Sequence, residues 1–330
     1  MRALNSRHLD PCSLDAVREA AVRIAPHARV TPVLRCASID RLAGASLHFK
    51  AEHLQRVGAF KFRGACNAVL SLDEADAARG VVTQSSGNHG AAVALACRLR
   101  GIPATVVMPS NAPQVKREAI ADFGARIVDC EPSQQARDRV TAQVLEASGG
   151  TLVHPFDDPR VIAGQGTVAL ELIGQVPGLD AIIAPVSGGG LLSGTLIAAR
   201  GVDPRIEVFG AEPEGAADAH ASLQQGRRVV DLQPDTICDG LRAQLSERTF
   251  AILSRHCDGI LLASDDEVRH AMRLVFERMK QVIEPSGAMA LAALLRARER
   301  FSGKRVGIVL SGGNLDLTAL FGALPAAPRG

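Results

Sequence analysis

The chain has 330 residues, a formal net charge of +2 and 37 basic side chains mixed with 35 acidic ones, so no nucleic-acid or anionic-membrane partner is marked. It contains no tyrosine and no tryptophan, which excludes phenolic acid–base chemistry and indole stacking. No apolar run approaches the roughly 18 residues of a membrane span, and the amino terminus lacks the charged-then-apolar order of a secretory leader, so a cytoplasmic protein without a membrane partner is expected.

The length suits one large or two modest domains. An amphipathic helix is expected over Leu14–Ala25, after which short apolar runs alternate with helix-period segments, the pattern of a parallel sheet covered by helices. Buried strands are expected at Gly80–Thr83, Ala104–Met108, Arg126–Asp129, Ala181–Pro185, Ile206–Phe209 and Val306–Leu310. The segment 80–150 reads as three strand–helix units forming a small domain. A large, discontinuous domain is then built from 1–79 and 151–330. Ser264-Asp265-Asp266-Glu267 is a capping box that opens a helix running to about Lys280. The seven cysteines are odd in number, widely spread and free of any CxxC pair, so they read as reduced core residues.

Lysine is scarce: Lys50, Lys61, Lys116, Lys280 and Lys304 are all there are, and arginine carries nearly all the remaining positive charge. Lys61 lies in "GAFKFRGACNAV", between Phe60 and Phe62 and just before a small-residue helix start. Taken alone, it could simply snorkel from a helix end. Three glycine turns follow expected strands: "SSGNHG" at 85–90, "SGGGLLSG" at 187–194 and "SGGN" at 311–314. Ligands of open parallel sheets sit beyond the carboxyl ends of the strands, so the three turns could share one crevice. Each by itself is first a turn device. None fits the dinucleotide fingerprint or the nucleoside-triphosphate loop. The consecutive glycines after Ser187 let successive N–H groups approach one anion at a helix amino terminus, which points to a phosphorylated ligand.

Six motifs in register resemble the fold type II pyridoxal-phosphate enzymes, particularly the serine/threonine dehydratase and serine racemase branch. They are "FKFRGA", "SSGNHG", "VIAGQGT" at 161–167, "PVSGGGL" at 185–191, "EPSGA" at 284–288 and "LSGGN" at 310–314. The resemblance implies an α/β fold like that of the tryptophan synthase β chain, with two open, twisted, mostly parallel sheets covered by helices. It implies pyridoxal 5'-phosphate as cofactor, with Lys61 as its Schiff-base lysine, and Phe60 and Phe62 would supply the apolar setting that keeps the amine neutral. It places Ser187, Gly188, Gly189, Gly190 and Leu191 at the cofactor phosphate, Asn88 at the ring hydroxyl and Ser311 at the pyridine nitrogen, with Phe60, Gly240 and Glu284 also on the cofactor. Ser85, Ser86, Gly87, Asn88 and His89 resemble the loop that grips a substrate carboxylate.

What the resemblance implies for activity is elimination of ammonia from L-serine, L-threonine or 3-hydroxyaspartate, giving a 2-oxo acid, with Lys61 moving the Cα proton. Ser86 stands where simple dehydratases resemble "SAGN". It is similar to the racemase and 3-hydroxyaspartate dehydratase branch, where a hydroxyl opposite Lys61 makes serine racemisation possible. "GAEPEGAADA" at 210–219 is similar to that branch's divalent-cation site, with Glu212, Asp218 and the Ala216 carbonyl as candidate ligands for Mg2+, Mn2+ or Ca2+. Read without the resemblance, such acidic loop residues are simply solvated. Arg137 could pair with a second carboxylate, or be one more solvated helix residue. Ser187, Ala91, Phe156 and Ala243 depart from the racemase pattern and leave the substrate open. A homodimer is the family expectation, and allosteric control by isoleucine is not expected. A β-replacement synthase of the cysteine-synthase kind is the alternative, although its loop resembles "TSGNTG". A cofactor-binding scaffold without turnover is another.

Overall fold

Parallel strands that are apolar on both faces must be covered on both, and this chain meets that demand twice. The computed structural model describes residues 12–85, 87–112 and 114–315, with Val115 described by its backbone alone. Its strands are β1 (Val33–Leu34), β2 (Ser46–Lys50), β3 (Val81–Gln84), β4 (Ala104–Pro109), β5 (Arg126–Cys130), β6 (Thr151–Leu152), β7 (Ala181–Pro185), β8 (Glu207–Pro213), β9 (Gly259–Ala263) and β10 (Arg305–Val309).

The large sheet has the order β1-β2-β10-β7-β8-β9, and the small sheet the order β5-β4-β3-β6. All pairings are parallel except β1 with β2. The large sheet thus draws strands from both sides of the small one. Thr151 and Leu152 pair with Val81 and Val82, so the small sheet extends two residues past the boundary expected at 150. In β7 every residue is buried, as expected of a central strand covered on both sides.

Four strands escape the apolar-run reading: β1, β2, β6 and β9. The reason is clearest for β2, whose sequence SLHFK mixes His48 and Lys50 with Leu47 and Phe49, yet all four are buried. The Ser264 capping box forms as expected, with Glu267 Oε2 accepting from the Ser264 N–H at 2.8 Å. The helix is regular over Asp265–Leu274 and continues as a π turn over Val275–Met279. Lys280 then ends it in the left-handed region at φ 59°.

The motif "VIAGQGT" lies on the helix Pro159–Gln175, where its glycines permit close backbone contact. A Cβ at Gly164 would sit 2.6 Å from the Arg63 carbonyl oxygen, and one at Gly194 would sit 2.5 Å from the Gly166 nitrogen. The helix therefore packs its backbone directly on the helix Lys61–Leu70 and on the helix Gly190–Val202. Any larger side chain at these glycines pushes the lysine-bearing helix and the glycine-turn helix apart.

Beneath Lys61 lies a buried ionic cluster that no pattern in the sequence announces. Arg63, fully buried, donates to Glu52 through Nε at 2.7 Å and Nη2 at 2.8 Å, and to Glu171 through Nη1 at 2.7 Å and Nη2 at 2.8 Å. Lys50 Nζ donates to Glu171 at 2.7 Å and to the Thr31 carbonyl at 2.8 Å. Two cations and two carboxylates thereby tie the start of the Lys61 helix to β2 and to the helix Pro159–Gln175.

Candidate active site

The strands β3, β7 and β10 end at one cleft, and the turn that follows each of them lines it. Ser85, Gly87, Asn88 and His89 come from the small sheet, Ser187–Gly190 and Ser311 from the large one, and Lys61 enters from the helix between the two. Ser86, the other residue expected in the first turn, lies outside the described residues.

Lys61 is half-buried, and its Nζ donates to the Pro155 carbonyl at 2.9 Å and stands 5.2 Å from the centre of the Phe60 ring. Desolvation lowers its pKa from 10.5 to about 8, so a useful fraction is neutral amine near neutral pH. Phe62 does not share in this. It is fully buried in the core that packs under the small sheet, because the next residue of a helix turns about 100° away. Of the two phenylalanines expected around the lysine, only Phe60 lines the cleft.

The glycine turn after β7 is built for a ligand that approaches the backbone. Gly189 has φ 88°, and a Cβ at Gly188 would lie 2.3 Å from the Phe156 ring. Phe156, itself edge-on to His154 at 4.6 Å, thus backs the turn. The helix Gly190–Val202 starts here, so its first N–H groups have no intrahelical acceptor and present the positive end of the helix to the cleft. The Ser187 hydroxyl is held by the Ala243 backbone, accepting from its N–H at 2.9 Å and donating to its carbonyl at 3.1 Å.

One polar network joins the two sheets across the base. Asn88 Nδ2 donates to both oxygens of Glu284 at 2.9 and 3.2 Å, and Asn88 Oδ1 accepts from Asn314 Nδ2 at 2.8 Å. Glu284 is buried, which pushes its pKa up to about 7 against the opposing Asn88 hydrogen bond. Gly240 donates its N–H to Ser286 Oγ at 3.0 Å, and the buried Ser311 Oγ donates to the Ser286 carbonyl at 3.3 Å. Leu191 is buried at the first turn of its helix.

The turn after β3 has a buried histidine in it. His89 Nε2 donates to the Val153 carbonyl at 3.1 Å, and Nδ1 has no partner among the described residues. Burial, and then the charge of Lys61, lower its pKa to about 3, so the ring is neutral and offers only an acceptor. Arg137 also lines the cleft, with its Nε buried and unpartnered among the described residues. Lys116 and Asp239 line it too and form an ion pair at 2.5 Å, and Gln84 presents a buried, unpartnered Oε1. Lys116, Asp239 and Gln84 were not among the sequence candidates, because each belongs to a separate segment with no motif of its own.

Glu212, Ala216 and Asp218 lie outside this cleft, at the end of β8 and the start of the helix Asp218–Gln225. Both Glu212 oxygens accept backbone N–H groups, from Ala219 and His220 at 2.9 Å each. Burial and then the charge of Asp218 push Glu212 up to about 8, and burial pushes Asp218 up to about 6. Two buried carboxylates that repel each other suit a hard divalent ion. Among the described residues no group of three or more His, Cys, Asp or Glu gathers around a point, so carbonyls and water would have to complete such a shell.

This fold and this cleft define a fold type II pyridoxal-phosphate enzyme, and the chain belongs to that family: residues 24–312 match the one described as "Pyridoxal-phosphate dependent enzyme". It is 48% identical over 312 residues to the serine racemase of Dictyostelium discoideum, covering 93% of this chain and 96% of that one. It is also 48% identical over 298 residues to the beta-hydroxyaspartate dehydratase of Paracoccus denitrificans, covering 90% and 95%. Among solved structures, maize serine racemase superposes with a TM-score of 0.92 at 44% identity, covering 94% of this chain and 95% of that one.

The cleft fits the cofactor on its own geometry. An amine with a depressed pKa stands at one end, and at the other a turn leaves helix N–H groups open where a side chain on Gly188 or Gly189 would collide with Phe156 or Thr249.

Proposed function

We propose that the protein is an ammonia-lyase that converts a β-hydroxy-α-amino acid to a 2-oxo acid and ammonia, with 3-hydroxyaspartate and L-serine as the foremost substrates and serine racemisation as a second activity. The observation that carries the reading is Lys61: a desolvated amine facing both a carboxylate-grip turn and a glycine turn in one cleft. The comparable identity to a racemase and to a hydroxyaspartate dehydratase supports naming both activities.

When bound, the cofactor withdraws electrons from the Cα of an attached amino acid and so acidifies the Cα proton. Lys61 would hold the cofactor and, as a neutral amine, would move the Cα proton of a substrate. Gly188–Leu191 receive the phosphate on helix N–H groups. Asn88, aligned by Glu284 and Asn314, would hold the ring hydroxyl, and Ser311 would hold the ring nitrogen. A neutral hydroxyl at Ser311, rather than a carboxylate, would suit loss of the β-hydroxyl. Ser85, Gly87 and the helix amino terminus at Asn88 hold the α-carboxylate.

Arg137, whose Nε has no acceptor among the described residues, extends the reading to a substrate with a second carboxylate. A panel of L-serine, L-threonine and 3-hydroxyaspartate, read as keto acid with chiral analysis of the residual serine, tests this. We expect keto acid from 3-hydroxyaspartate and serine. No keto acid from any of the three, with O-acetylserine and sulfide consumed instead, would establish the β-replacement alternative.

The divalent cation is part of the same proposal, held by Glu212, Asp218 and the Ala216 carbonyl with water. Chelation of the holoenzyme is expected to lower the melting temperature by about 5 °C, since a site held well above its dissociation constant contributes roughly 2–3 kcal/mol. Indifference to the chelator would remove these residues from the site. Homodimeric assembly rests on the family resemblance. Among the described residues, no helix is long and apolar enough to cross a membrane.

A further inference from the structure

The small-sheet wall of the cleft carries two cations, Lys116 and Arg137, and the facing side carries Asp239, with Glu284 held by Asn88 at the base. Lys116 Nζ reaches from the helix Gln114–Asp122 to Asp239 Oδ2 at 2.5 Å, so the pair spans from one wall to the other. A side chain on Gly87 would meet the Lys116 ammonium at 3.7 Å, which places that ammonium beside the turn proposed to hold the α-carboxylate. Arg137 has no ion pair among the described residues, and its buried Nε lacks an acceptor. The buried Gln84 Oε1 on the same wall lacks a donor. A charged or polar group left without a partner in an enclosed site is costly until a ligand supplies one.

Lys116 keeps 25% and Asp239 47% of its side-chain surface exposed, and pairs that open to water shift an equilibrium by no more than about fivefold. Asp239 is therefore a replaceable partner. In 3-hydroxyaspartate two carbons separate the second carboxylate from the first, a span short enough for a cation beside the α-carboxylate turn to meet it.

We propose that Asp239 is a built-in stand-in for a substrate's second carboxylate. Lys116 exchanges Asp239 for the distal carboxylate of a dicarboxylic β-hydroxy amino acid, Arg137 completes the clamp, and a monocarboxylic substrate leaves the Lys116–Asp239 pair closed. This rests on the proposed deamination and adds the residues that rank its substrates. Lys116 and Asp239 thus set specificity from the two walls without entering the chemistry at Cα.

The test is steady-state kinetics of the holoenzyme on 3-hydroxyaspartate and on L-serine, expressed as the ratio of the two kcat/KM values. Lys116→Met is expected to lower that ratio at least tenfold, with the change residing in KM for 3-hydroxyaspartate, and Lys116→Arg to keep it within about threefold. Asp239→Asn, which removes the competitor, is expected to raise the ratio about threefold. Equal losses on both substrates in Lys116→Met would assign the ammonium to the α-carboxylate or to the fold and overturn the exchange. An unchanged or lowered ratio in Asp239→Asn would overturn it as well. A wild-type enzyme inert toward both substrates would overturn the deamination reading itself, and this inference with it.

Discussion

Lys61→Ala is expected to abolish the visible absorption of the bound cofactor and to cut turnover by at least roughly 10⁴-fold, the upper end of what one positioned acid–base group contributes. The other lysines are unsuited to the role. Lys50 is paired with Glu171, Lys116 with Asp239 and Lys304 with Glu207, while Lys280 bonds the Glu277 carbonyl on the exposed end of its helix. Lys61 alone combines cleft access with a pKa lowered by desolvation to about 8.

The sign of the pH effect follows. Below its folded pKa the amine is protonated and cannot attack an aldehyde, so the rate at which cofactor-free enzyme regains colour should rise about tenfold from pH 7 to pH 9 and level off. A lysine of ordinary pKa would give about a hundredfold rise over the same range with no plateau. A coloured Lys61→Ala protein, or a rate that climbs unchecked past pH 9, would place the covalent attachment elsewhere.

Arg63→Met is expected to lower global stability by about 3–5 kcal/mol, measured as a shift of the denaturant midpoint at unchanged m. The size follows from what remains. Glu52 is fully buried and loses both of its guanidinium hydrogen bonds, while Glu171 keeps only Lys50 and neighbouring water. Removing one partner of a buried ionic cluster costs far more than the cluster contributes net, because the stranded charge keeps its desolvation penalty. The double variant Arg63→Met/Glu52→Gln should therefore recover part of the loss. A shift below about 1 kcal/mol would mean that water reaches the cluster and that it does not hold the Lys61 helix against β2.

Much of the site was legible because its parts are short motifs at strand ends. "FKFRGA", "SSGNHG", "SGGGL" and "LSGGN" each carry a turn or helix start in contiguous residues, and described residues from each of them line one cleft in the structure. The roles of individual side chains were less legible. Phe62 follows Lys61 in sequence but turns into the core, and the Ser187 hydroxyl is taken by the Ala243 backbone from 56 residues away. The glycines of "VIAGQGT" carry no mark of purpose until Gly164 is seen against the Arg63 carbonyl.

The sequence by itself determined the α/β class, six of the ten described strands, the glycine turns and the lysine, because strand burial and turn chemistry are local demands written in neighbouring residues. Only the tertiary structure decided what Lys50, Glu52, Arg63, Glu171, Lys116 and Asp239 do. Those side chains sit up to 125 residues from the groups they bond, as Lys50 does from Gln175, and a charge says nothing about its partner until folding has removed the water between them.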